Sequence, residues 1–180
     1  MGCNQITSNS DKNRNTNRNT NSRQSLSQIP FDPEKFKAEA LERHNYYRSI
    51  HHSPPLTISP ELSKYAQDYA NEIAKKNIEN EHSECMLKDK LLGENLFTCI
   101  NYITGKEMTD EFYREIVNYD FFKGECEPKA ARFTQLVWKD TKEVGFGVAK
   151  NEQTGKYFAV VNYYPNGNGL GQFKNNVENK

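Results

Sequence analysis

"EVGFGVAKNEQTGKYFAVVNYYP", residues 143–165, decides the class of this fold. Its two arms, 143–150 and 156–165, are rich in Val, Phe and Tyr, and the "NEQTG" between them holds turn-forming residues. That pattern predicts a β-hairpin. The chain before it has a different period. In "SPELSKYAQDYANEIAKKN" (59–77), Leu62, Tyr65, Ala66, Tyr69, Ala70, Ile73 and Ala74 recur at steps of three and one, an apolar stripe on one face of a helix. Ser59 suits the N-cap, Pro60 the first helical position, and lysines fall at the end. "PEKFKAEALERHNYYRSIHH" (33–52) puts Phe36, Ala40, Leu41, His44 and Tyr47 at helical spacing, and "EMTDEFYREIVNY" (107–119) predicts a third helix with Phe112, Ile116 and Tyr119 inward. Helices first, then strands, predict an α+β sandwich in which helices cover a small antiparallel sheet.

Between these segments lies "AARFTQLVWKD" (130–140), a short amphipathic helix with Phe133, Leu136 and Val137 on one side. Arg132 stands at its front, a permanent cation at the mouth of an apolar segment. Such a charge needs a partner.

The 24 basic and 24 acidic residues of the 180 balance, so no global field points to nucleic acid. The balance is uneven along the chain. Residues 1–30 carry Lys12, Arg14, Arg18 and Arg23 against Asp11, a net +3. They include the Asn-rich repeat "NRNTNRNTN" (13–21), which lacks the apolar surface that would offset ordering entropy. We therefore divide the chain into a disordered basic tail over 1–32, a folded domain over 33–176 and a short tail over 177–180. No apolar run reaches the length of a signal-peptide core or of a membrane span. Four cysteines (Cys3, Cys85, Cys99, Cys126) make no disulfide framework at this length, and free thiols in a reducing compartment are expected.

Four histidines are present. Adjacent His51 and His52 diverge by about 100° on a helix and do not chelate together; both are expected in solvent at the helix end. His44 reads as a hydrogen-bonded packing residue. His82 follows a helix in the polar loop "ENEHSEC", Glu94 sits in "GENLF" (93–97), and Glu115 lies beside the apolar stripe of the third helix. Tyr65, Tyr69, Phe112, Phe133, Trp138 and Phe158 are expected in the core, and Asn162, Tyr163 and Tyr164 at a turn or a groove rim.

At these residues the chain resembles a known family. "HNYYR" (44–48), "PPLTISPEL" (54–62), "HSEC" (82–85), "GENLF", "YREIVNYDF" (113–121), "RFTQLVWKDT" (132–141), "GFGVA" (145–149) and "NYYPNGN" (162–168) stand in the order seen in CAP domains: the cysteine-rich secretory, antigen 5 and plant pathogenesis-related class 1 proteins. The resemblance is nearest to the intracellular, Golgi-associated branch, which is N-myristoylated and poor in disulfides. It implies a three-layer α-β-α sandwich with a central cleft. It also implies that two histidines and two glutamates line this cleft and bind zinc or another divalent ion in some members. Three of those positions fall on His82, Glu94 and Glu115. The second histidine is replaced by Arg132.

A guanidinium has no lone pair to give a metal. It also repels a divalent ion 4 Å away by about 8 kcal/mol at an effective dielectric near 20. No metal or other cofactor is therefore expected, and Arg132 is expected to face Glu94, Glu115 or both. Val161 replaces the cysteine that the family usually places before "NYxP", in keeping with free thiols.

"MGC" exposes Gly2 for myristoylation with Cys3 beside it for palmitoylation, a two-chain anchor that the basic tail would reinforce on anionic lipid. Ile6 departs from the Ser or Thr of that acylation pattern, and an unmodified tail is the other reading.

Three functions follow. The first is a non-enzymatic CAP module at the cytoplasmic face of the Golgi or plasma membrane, with membrane lipid or sterol, a protein, or a second copy of itself as partner. The second is a weak hydrolase using Glu94 and Glu115 as acid and base with His82 assisting, although no nucleophile elbow, triad spacing or metal electrophile supports it. The third is a secreted defence-type protein, for which no secretion signal is visible. The first is the expectation.

Overall fold

A computed structural model describes residues 31–100 and 104–180. Gly2, Cys3 and the Asn-rich repeat lie outside the described residues. Helix α1 (Pro33–Ile50) starts at Asp32, whose carboxylate accepts from the backbone N–H groups of Glu34 and Lys35. Strand β1 (Thr57–Ile58) leads into α2 (Pro60–Lys76). Ser59 Oγ caps α2 by accepting from Leu62 N, and Asn77, in the left-handed region at φ 53°, ends it. A small hairpin of β2 (Met86–Leu87) and β3 (Lys90–Leu91) precedes β4 (Gly93–Cys99). Next come α3 (Gly105–Arg114), α4 (Ala131–Leu136), the long strands β5 (Glu143–Lys150) and β6 (Tyr157–Tyr164), and the single turn α5 (Phe173–Asn176).

The main sheet runs β1-β5-β6-β4. β5 and β6 pair antiparallel from Glu143↔Tyr164 to Lys150↔Tyr157, the expected hairpin. β4 pairs antiparallel with β6, and β1 lies parallel to β5. Alternation along β6 splits the core. Phe158 and Val160 point to α2, where they meet Ala66, Ala70, Ile73 and Ala74. Ala159, Val161 and Tyr163 point to the other layer, where α1, α3 and α4 contribute Phe36, Ala40, Phe112, Phe133 and Leu136. The result is the expected three-layer α-β-α sandwich.

Two glycines set the thickness of the α2 layer. A Cβ on Gly145 would stand 2.2 Å from the Leu62 carbonyl carbon, and one on Gly147 would stand 2.2 Å from that of Ala66. Only a bare backbone lets the helix lie this close. At the outer border of β5, beyond the two residues of β1, the Gln67 carboxamide takes the place of a strand. Its Nε2 donates to Val148 O at 2.8 Å and its Oε1 accepts from Val148 N at 3.2 Å.

Arg48 is fully buried without a carboxylate beside it. It donates to four carbonyls: Pro54 at 2.7 Å, Leu136 at 3.1 Å, and Trp138 and Thr141 at 2.8 Å each. Burial lowers its pKa to about 10. His44 is likewise fully buried. Tyr163 Oη accepts from Asn95 Nδ2 at 3.2 Å, so its own proton goes to His44 Nε2 at 2.9 Å, and His44 Nδ1–H donates to Ala40 O at 2.7 Å. The network thus assigns a neutral imidazole, and burial lowers its pKa to about 3.

Several expectations need correction. The third helix begins at Gly105, because Thr104 and Glu107 form a capping box, and gives way after Arg114 to a 3-10 turn over Glu115–Asn118. His51 is buried, not solvated: Nδ1 lies 2.7 Å from Glu178 O and Nε2 3.0 Å from Tyr113 Oη. Tyr65 and Tyr69 are half-buried, their hydroxyls donating to Glu61 Oε1 and Glu81 O. Asn162 and Tyr163 are inside β6, fully buried. Past position 176, Val177 is buried and Glu178 pairs with Lys139.

Candidate functional site

β4 organises the site from both sides. Its Glu94 meets the loop that follows α2: Oε1 accepts from His82 Nδ1 at 2.9 Å and from Ser83 N at 2.9 Å, and Oε2 accepts from Ser83 Oγ at 2.6 Å. The Glu94 side chain is 5% exposed and that of His82 63%. The hydrogen bond to Glu94 raises the His82 pKa, partial burial opposes it, and the charge of Glu94 adds to it.

Glu115 makes a second closed arrangement. Its Oε1 accepts from Arg132 Nε at 2.6 Å, and its Oε2 accepts from the backbone N–H of Arg132 at 2.8 Å and of Phe133 at 3.2 Å. The N-cap position of α4 is Ala130, which offers no side-chain cap. Glu115 caps that helix from outside. The Arg132 guanidinium lies 5.5 Å from the Phe112 ring centroid, and its Nη1 reaches Leu96 O only at 3.5 Å.

Of the two partners expected for Arg132, the structure selects Glu115. Glu94 is taken by His82 and Ser83, from the segment between α2 and the β2–β3 hairpin. Sequence reasoning missed Ser83, which supplies two of Glu94's donors. It also missed Asn95, whose Nδ2 holds Arg132 O at 3.0 Å. The "GEN" tripeptide was the available signal for Asn95, since a buried Asn beside a glutamate must serve some acceptor. Asn162 was expected only at a turn or a groove rim. It pairs with Glu94 across the ladder and is fully buried, and neither end of its carboxamide has a partner among the described residues.

This donor set does not fit a four-ligand zinc site. Among the described residues no three of His, Cys, Asp and Glu converge. Glu115 gives three of its roughly four acceptor sites to a guanidinium and two backbone donors, and the fourth corner, Arg132, has no lone pair to offer.

The cysteine-rich secretory protein family, CAP, matches residues 41–163, a span that contains both pairs. The chain belongs to this family. It is 36% identical over 151 residues to human Golgi-associated plant pathogenesis-related protein 1, covering 80% of this chain and 93% of that protein. It is 34% identical over 138 residues to Repressed by EFG1 protein 1 of Candida albicans, covering 76% of this chain and 48% of the fungal protein. Thus it spans nearly all of the human relative and about half of the fungal one. Among solved structures, BmVAL-1 shares the fold with a TM-score of 0.62 at 18% identity, over 85% of this chain and 86% of that one. In this CAP protein Cys85 and Cys126 are thiols. Among the described residues no helix is long and apolar enough to cross a membrane.

Proposed function

We propose that this CAP protein is a non-enzymatic module at a cytoplasmic membrane face, with a cleft that holds itself together by internal ion pairs and takes no metal. The observation that carries the cleft reading is engagement: Glu94 and Glu115 each accept three hydrogen bonds, three of a carboxylate's roughly four acceptor sites. A cation here would have to displace these donors and lie beside the Arg132 guanidinium, and a general base must reach the proton it removes. Similarity to a Golgi-associated relative supports a place at a membrane, as does the Gly2–Cys3 start followed by basic residues. Lipid or sterol is the ligand class this reading favours, and a second copy of the chain or another protein is the partner.

Two measurements test it. Calorimetric titration with zinc should show no micromolar binding; uptake that His82→Ala abolishes would end the metal-free reading. Fractionation of tagged wild type against Gly2→Ala/Cys3→Ala should move the protein from membrane to supernatant. Equal distribution of the two rejects the anchor.

A further inference from the structure

We infer that the Arg132 guanidinium is a receptor for an oxyanion, a phosphate or carboxylate group, at the corner of the cleft where the resemblance implies a cation. The inference rests on the metal-free reading of that cleft. A guanidinium carries five N–H donors in a planar fork. Here Nε is spent on Glu115 Oε1, while the other carboxylate oxygen turns to the backbone N–H groups of Arg132 and Phe133. The pair is therefore a one-bond contact and not a fork-to-fork one. Nη1 has only the 3.5 Å approach to Leu96 O, at the limit of a hydrogen bond. Nη2 has no acceptor among the described residues. The edge formed by Nη1 and Nη2 is thus left with two nearly parallel donors, on a side chain 39% exposed. Two oxygens of a phosphate or carboxylate match that spacing.

The receptor is held in place before any ligand arrives. Glu115 fixes Nε, the Phe112 ring lies against the guanidinium, and Asn95 Nδ2 holds the Arg132 carbonyl. The Glu115 carboxylate does not cancel the attraction. It is held at Nε and by backbone N–H groups, and the Nη edge, which lies on the side of the guanidinium opposite Nε, keeps its directed donors for an incoming anion.

The test uses the full chain with ¹⁵N-labelled arginine. Sodium phosphate and sodium acetate are titrated as free ions at low salt, and phosphatidylcholine vesicles with and without phosphatidic acid supply the same chemistry on a membrane. The Arg132 side-chain resonances should shift saturably. Arg132→Lys keeps a charge for Glu115 but lacks the fork, and should bind at least tenfold more weakly; Arg132→Gln, checked for folding by circular dichroism, should not respond. An Arg132-dependent response to the free ions assigns a soluble anion, and one to phosphatidic acid vesicles alone assigns a lipid headgroup. No response in either arm, or an undiminished one in Arg132→Gln, overturns the inference. Zinc titrated in parallel separates the two claims: silence toward both zinc and the anions ends this inference and leaves the metal-free reading standing.

Discussion

Glu115 holds Arg132 twice: Oε1 accepts the side-chain Nε at 2.6 Å and Oε2 accepts the backbone N–H of the same residue at 2.8 Å. One contact is an ion pair and the other caps a helix, so the two partners are not energetically equivalent. Arg132→Ala removes only the half-exposed ion pair and should cost about 1 kcal/mol. Glu115→Ala also strips α4 of its cap and should cost about 2–4 kcal/mol. Urea unfolding of both variants measures the difference, and equal losses would show that the cap contributes nothing.

Arg48 makes a stronger prediction. Three of its four carbonyl partners tie the end of α1 to the segment 136–141, the fourth is Pro54 O just after the helix, and none is replaced if the fork is lost. Arg48→Lys keeps the charge but serves fewer of these carbonyls, and should destabilise by about 3 kcal/mol or more. A loss under 1 kcal/mol in urea would mean that water satisfies the carbonyls instead.

Gly147→Ala tests the close approach of α2. The added methyl meets helix backbone, which cannot turn aside, so the helix must lift from the sheet. The expected cost is about 1–3 kcal/mol. Gly155→Ala is a useful contrast, because nothing lies within 4 Å of a Cβ there and its penalty comes from φ 72° alone.

Acid should weaken the fold through His44. The unfolded chain takes up a proton near the ordinary value of 6.5, whereas the buried imidazole resists until about 3. A depressed folded value means that stability is full above 6.5 and falls as pH drops, by about 1.4 kcal/mol per pH unit for this residue. His51, lowered chiefly by burial, acts in the same direction. His82, raised, acts in the opposite one: its contribution is present below 6.5 and is lost as pH rises through the folded value. That contribution is small, because the ring is mostly exposed. Urea midpoints between pH 7.5 and 4.5 should decline, and His44→Gln should start lower with a shallower slope. A flat profile in the wild type contradicts a buried neutral imidazole.

The layers of the sandwich were legible because their signals are local. Ser59 and Pro60 mark the start of α2, and the Val/Phe/Tyr runs mark β5 and β6. β4 was hidden, since "GENLF" puts a glutamate and an asparagine, both poor strand formers, into a strand held by β6 and by polar side-chain contacts. The burial of Arg48 and His51 was also illegible. Their partners are carbonyls up to 127 positions away, and a carbonyl leaves no trace in residue identity. At the site, residue types pointed to an acid as the partner of Arg132, but the choice of Glu115 over Glu94 rests on tertiary placement: Glu94 meets His82 and Ser83, and Glu115 meets the start of α4.

Gln67 has a consequence for how this molecule lives among copies of itself. A bare sheet margin invites a neighbour's backbone to zip onto it, the first step toward fibres. By offering its own amide to Val148, one helical side chain imitates a peptide group and fills that vacancy from within. The protein thereby stays unreceptive to foreign strands along this side without spending a further segment of chain to cover it.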